Sequence, residues 1–119
     1  MTEYSNEITR ELSAAEEECA AYEKQTRKLY YKAVKNKGLK QEFDQWAEAS
    51  VYMMLKKNRD SLEEEWAKVL VEVKGDKGRQ TVEEKMKARR EQEQRQAQAD
   101  KEKLADPSKI TAEDLRGVL

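Results

Sequence analysis

From Ile8 to Ala33 the chain places an apolar or small residue at alternating intervals of four and three: Ile8, Leu12, Ala15, Cys19, Tyr22, Thr26, Leu29 and Ala33. This is the a/d seam of a heptad helix, carried through nearly four heptads. It predicts one helix over about residues 6–37, with Ser5 as N-cap. Glu7 and Glu11 suit the positive end of its dipole, and Lys32, Lys35 and Lys37 the negative end. Asn36-Lys37-Gly38 reads as its C-cap, with the glycine in the left-handed region. A helix with one narrow stripe must lay it against another element, so the seam demands a partner helix.

Leu39 opens the stretch that answers that demand, a second predicted helix reaching to about Lys74. Phe43, Ala47, Val51, Met54, Asn58, Leu62, Val69 and Val73 share one face, flanked by Trp46, Leu55 and Trp66. Asp60 with Glu63, or Ser61 with Glu64, resembles a capping box, so a kink near Asn58–Ser61 and a continuous helix are both open. Two helices of similar length around Gly38 predict an antiparallel, coiled-coil-like hairpin over residues 1–74, a rod of roughly 48 Å at 1.5 Å per residue.

The rest of the chain reads differently. Gly75-Asp76-Lys77-Gly78 is a turn, and Thr81-Val82-Glu83-Glu84 a capping box that opens a helix to about Leu104. Between Met86 and Leu104 the only apolar residues are Ala88, Ala97 and Ala99. Residues 75–105 are therefore expected to be an exposed or partly disordered charged spacer. Asp106-Pro107-Ser108 ends it. Thr111 and Asp114 then cap a predicted mini-helix within 106–119, with Ile110 and Leu115 as a hydrophobic staple.

Composition agrees with an all-α chain. Of 119 residues, 49 are charged, and Ala, Glu, Lys, Leu and Arg supply 65, the bias of long helices. So polar a chain has too little apolar material for a sandwich or a doubly wound domain. No apolar run approaches the ~20 residues that span a bilayer. The first residues lack a signal-peptide pattern. Cys19 is the only cysteine and there is no histidine. These features point to a reducing cytoplasm and away from His-based catalysis, metal binding and cofactors. The glycines fit no phosphate-binding motif. The expectation is a non-enzyme without cofactor or small-molecule substrate.

The apolar run Val51-Tyr52-Met53-Met54-Leu55 has no polar side, and two helices cover only one stripe each. Trp46, Val51, Tyr52, Met53, Leu55 and Trp66 are therefore the expected homo-oligomer interface, the alternative being that the third helix folds back over them. The stapled tail, with Ile110, Leu115, Val118 and Leu119, reads either as a helix-in-groove docking element for a larger protein or as a tail packed on its own hairpin.

Charge alternates in blocks: net −6 over residues 1–23, +7 over 24–40, −4 over 41–73, +3 over 74–105 and −1 over 106–119. The basic block makes Arg27, Lys28, Tyr30, Tyr31, Lys32 and Lys35 candidate nucleic-acid contacts, phosphates meeting the cations and bases stacking on the tyrosines. The competing reading is a solvated helix end, which an isoelectric point near 5.7 favours. Glu16–Glu18 and Glu63–Glu65 are either wet helix faces or an acidic surface that inhibits a basic host protein. A hairpin, a charged spacer and a short terminal helix resemble in plan, though not in motif, small phage assembly proteins such as scaffolding proteins and small terminase subunits. That resemblance implies an accessory protein in the host cytoplasm or the virion, acting by self-association and partner docking, with DNA packaging as the alternative.

Overall fold

The computed structural model describes residues 3–117. They are all-helical, with no strand among them. Three long helices pack against one another: α1, Glu3–Lys37; α2, Ser50–Lys74; and α3, Asp76–Ala105. Short 3-10 turns lie at Phe43–Gln45, Ala47–Ala49 and Pro107–Lys109. The molecule measures 51 × 23 × 22 Å, close to the length of α1 alone at 1.5 Å per residue.

The low-numbered end of α1 meets the high-numbered end of α2. Ile8 and Leu12 form an aliphatic cluster with Trp66 and Leu70, and Leu62, Val69 and Val82 pack against it. Towards the other end, Cys19, Tyr30, Tyr31, Val34, Phe43, Ala49, Tyr52 and Ile110 form an aromatic cluster. Buried positions follow the heptad seam from Ile8 to Thr26 and then leave it: Tyr30, Tyr31 and Val34 are inside, while Leu29 is 43% exposed. A straight helix drifts ~20° per heptad against a 3.5-residue repeat, so the buried face turns unless the helices supercoil. Ser5, expected to cap α1, is buried within it.

The second helix starts eleven residues later than the sequence suggested. Residues 39–49 are two 3-10 turns that tuck Phe43 and Ala49 under α1. The i, i+4 spacing of Phe43, Ala47 and Val51 imitates a helix, but inward placement of Phe43 and Ala49 suits tighter turns. Leu39 N–H is held by Ala33 O at 3.2 Å after Gly38, whose φ is +69°. Helix α2 then runs unbroken through Asn58–Ser61.

Residues 75–105, expected to be an exposed or partly disordered charged spacer, hold the third helix, which packs against the other two. Gly75, at φ +60°, turns the chain sharply, and α3 begins at once. Gly78 lies buried inside α3's first turns, and a Cβ there would stand 2.2 Å from Leu70 O. Its missing side chain lets α3 start against the α2 backbone. Beyond that contact α3 has almost no apolar face, and ion pairs hold it in place.

The tail returns to α1. Thr111 and Asp114 make the expected reciprocal cap: Thr111 N–H donates to Asp114 Oδ2 at 2.9 Å and Asp114 N–H to Thr111 Oγ1 at 3.4 Å. What they cap is a set of turns with i to i+3 bonds, not an α-helix. Ile110 is 1% exposed in the aromatic cluster, and Leu115 packs against it. Here these two residues cover their own chain's core, the second of the two readings the sequence left open. Val118 and Leu119 lie outside the described residues.

Candidate functional site

Three groups of side chains carry the unusual chemistry of this molecule. The first joins α1 to α3 near the aromatic cluster. Arg27, a turn before Tyr30 and Tyr31, lies over the Phe43 ring at 4.1 Å and bonds Glu23 at 3.0 Å and Asp100. Tyr31 Oη donates to Asp100 Oδ1 at 2.5 Å, and Gln96 Nε2 donates to both at 3.0 and 3.1 Å. Burial opposes the charge of Arg27, but Asp100 and Glu23 more than offset it and raise its pKa. Tyr30 is edge-on to Phe43 at 5.3 Å, lies 5.5 Å from Trp46, and donates its hydroxyl to Gln41 O at 2.9 Å. Burial, then Asp100, pushes its phenol up to about 12; the same two surroundings raise Tyr31 further. A cleft of about 270 Å³ opens beside these groups, with Tyr30, Phe43 and Tyr52 lining it and Glu42, Asp44 and Lys101 among its polar residues.

The second group sits at mid-rod. Glu63 is 1% exposed, bonds Arg89, and leaves Oε2 without a hydrogen-bond partner. Arg89 also meets Asp60 at 2.9 Å. Arg59 reaches Cys19 Sγ at 3.8 Å, Asp60 at 3.0 Å and Glu93 at 3.3 Å, so one guanidinium touches all three helices. Burial raises the Glu63 carboxyl above its ordinary range against the pull of Arg89, and raises the Cys19 thiol.

The third group is the lysine row of α1. Lys24, Lys28, Lys32 and Lys35 recur at one-turn intervals on one side of the helix. Lys28 Nζ donates to Arg116 O, and Lys35 Nζ to Ile110 O at 2.8 Å. Carbonyls fix these two ammoniums without cancelling their charge. The tail's own carboxylates are engaged elsewhere: Asp114 pairs with Lys103 at 2.9 Å and Glu113 with Arg116 at 3.1 Å.

These positions revise the residues picked out by sequence. Tyr52 and Trp66 are core residues, while Trp46, Met53 and Leu55 pack partly buried against the aromatic cluster. Of the six expected oligomer contacts only Val51 is well exposed, at 44%, and neighbouring Met54, not chosen, reaches 69%. Refolding of residues 43–49 over the run supplies the missing cover. Tyr30 and Tyr31 are buried and Arg27 is paired with carboxylates, whereas Lys35 is exposed and Lys28 and Lys32 are half-buried. The acidic triplets do not form one surface, because Glu16 pairs with Lys85 at 2.8 Å and Glu63 is buried. Sequence reasoning missed Asp100 and Arg89 altogether; a lone acid or base in a charged run has no local signal to mark it.

Cut at Arg59, the rod has two unlike halves. Residues 3–19 and 60–91 carry 15 acids and 9 bases, and residues 20–59 and 92–117 carry 10 acids and 15 bases. One half is net −6 and the other +5. Among the described residues no group of His, Cys, Asp or Glu could hold a metal ion, and no helix is long and apolar enough to cross a membrane. Compared with family models, curated proteins and solved structures, the chain matches none.

Proposed function

We propose that this chain is a small, non-catalytic helical accessory protein that works by contact with other chains, a second copy of itself foremost, as in assembly. In this reading α1 and α2 act as an antiparallel, coiled-coil-like hairpin stiffened by α3. The observation that carries it is the charge polarity of the rod, −6 against +5, which suits ordered contact between copies more than uptake of a small molecule. Contact with a larger protein through residues 110–119 belongs to the same reading only if Ile110 leaves the core. Light scattering across a concentration series at low salt tests self-association; a strict monomer throughout would overturn it. A pull-down unchanged by deleting residues 110–119 would remove the docking part.

A second reading is binding of a nucleic-acid backbone, as in DNA packaging, by the lysine row. It is supported by Lys28 and Lys35, whose ammoniums are fixed by carbonyls yet keep their charge. With no exposed aromatic beside them, such binding would be blind to sequence and steeply salt-dependent. Replacing Lys28, Lys32 and Lys35 by Glu should abolish a mobility shift at low salt; no shift with the parent chain eliminates this reading.

A further inference from the structure

The cleft of about 270 Å³ lies among α1, the first 3-10 turn, the start of α2 and the end of α3. Its inner wall is aromatic. Tyr30, Phe43 and Tyr52 form a row there, with neighbouring rings 5.3 and 5.7 Å apart, and Met53, Ala97 and Leu104 complete the apolar lining. Five acids and three bases share the rest, a net of −2. Arg27 is held by Glu23 and Asp100, and Lys56 by Glu93 at 3.9 Å. Glu42, Asp44 and Lys101 are exposed and make no ion pair among the described residues, so two acids stand against one base.

One polar group of the wall is unanswered. Tyr52 is 6% exposed and lines the cleft, yet its hydroxyl has no hydrogen-bond partner, whereas those of Tyr30 and Tyr31 bond Gln41 O and Asp100. A polar group held inside without a bond is costly, and the position calls for a donor or acceptor from outside the chain. The field at the wall is negative. Burial, then Asp100, Glu42 and Asp44, raises the Tyr30 phenol against the pull of Arg27, and burial, then Glu23, raises that of Tyr52. Arg27 also shows what the wall accepts: its guanidinium lies 4.1 Å over the Phe43 ring, as cations do on aromatic faces.

We propose that this cleft binds a small organic amine, a primary ammonium on a short apolar or aromatic body. The Tyr52 hydroxyl accepts one of its N–H bonds, Glu42 and Asp44 balance its charge, and the aromatic row covers its body. An anion meets the surplus of carboxylates, and a purely apolar molecule leaves the Tyr52 hydroxyl unbonded. At ~30 Å³ for each water the volume holds about nine, which sets the ligand at roughly that many non-hydrogen atoms. Such a site goes beyond contact between chains and does not depend on it.

Phenethylamine, which is of that size, is the probe, titrated into the full chain at neutral pH with amide shifts as the readout. Phenethyl alcohol and phenylacetate serve as its neutral and anionic counterparts. The amine should give saturable shifts centred on Phe43, Tyr52, Ala97 and Leu104; the alcohol should bind at least ~10-fold more weakly and phenylacetate not at all. Tyr52→Phe, which keeps the ring, and the exposed pair Glu42→Gln with Asp44→Asn should each weaken the amine ~5-fold. Circular dichroism checks the fold; should Tyr52→Phe disturb it, the Glu42 and Asp44 pair decides alone. No saturation up to ~10 mM amine, equal binding of phenylacetate, or unchanged affinity in a folded variant overturns the proposal while the contact between chains stands. Tighter binding of Nα-acetyllysine amide than of phenethylamine gives the cleft to another chain's lysine and overturns the free amine.

Discussion

Two carboxylates fasten the polar part of the chain, Glu63 at mid-rod and Asp114 at the basic end, and their surroundings differ. Glu63 lies in the interior with one guanidinium for a partner and one oxygen unsatisfied. Asp114 is near the surface and accepts from Thr111 N–H, Thr111 Oγ1 and Lys103. Burial raises the pKa of the first; burial would raise the second too, but its donors win and lower it. A carboxylate is thus easily satisfied at a turn, where backbone N–H groups are free, and hard to satisfy between helices, where they are not.

The largest effect should come from orphaning Glu63. Arg89→Met leaves a buried carboxylate without its partner and should cost ~3–5 kcal/mol in urea unfolding. Replacing Glu63 and Arg89 together by leucine should cost little or even stabilise, since two apolar side chains need no desolvation of charge. A small loss for Arg89→Met would mean that Glu63 does not depend on that pair.

At the basic end Ile110→Ala should cost ~2–4 kcal/mol, because it empties a fully buried site. It should also increase amide exchange in residues 110–117 above that in α2. Uniform exchange changes would show that the tail and the rod open as one unit. Thr111→Ala removes one donor and one acceptor of the cap and should cost about 1 kcal/mol by thermal melting. A loss as large as that at Ile110 would show the cap, not the apolar contact, to be the main anchor.

The two carboxylates should also respond to pH with opposite sign. Glu63's folded pKa lies above its ordinary 4.5, so the unfolded chain gives up that proton first. Its contribution therefore falls as pH rises from about 4.5 through the folded value. Asp114's folded pKa lies below its ordinary 3.8, so its stabilisation is present above that value and is lost as pH falls through the lower folded one. Denaturation series across acid pH should show Glu63→Gln flattening the upper window and Asp114→Asn the lower one. The same window flattened by both would refute the distinction.

Much of α1 was legible in advance, because the period of its apolar residues states which face is buried as far as Thr26. Past that point the aromatic cluster, not the heptad, selects Tyr30, Tyr31 and Val34, and the side chains that compete with Leu29 come from residues 43–52. The start of α2 was misread because an i, i+4 spacing of apolar residues also fits a pair of 3-10 turns. The place of α3 could not be read at all: its anchors are Arg89 and Asp100, single charges among many, whose partners lie 26 and 73 residues away. Of the candidate nucleic-acid contacts, the lysines were predictable from their spacing. Burial of Tyr30 depends on a loop that brings Phe43 and Trp46 to it, and burial of Tyr31 on Gln96, Asp100 and Lys103 of α3, none of which is near in sequence.

Sequence by itself determined that this chain is helical, that its first helix needs a partner, and that its charges come in blocks, since each follows from local composition and period. Tertiary structure decided that α3 belongs to the body, that the tail covers the aromatic cluster, and that the charge blocks add up to one acidic and one basic half. Those outcomes turn on which distant carboxylate meets which cation inside a protein. Burial makes such a meeting strong, and no local pattern records it.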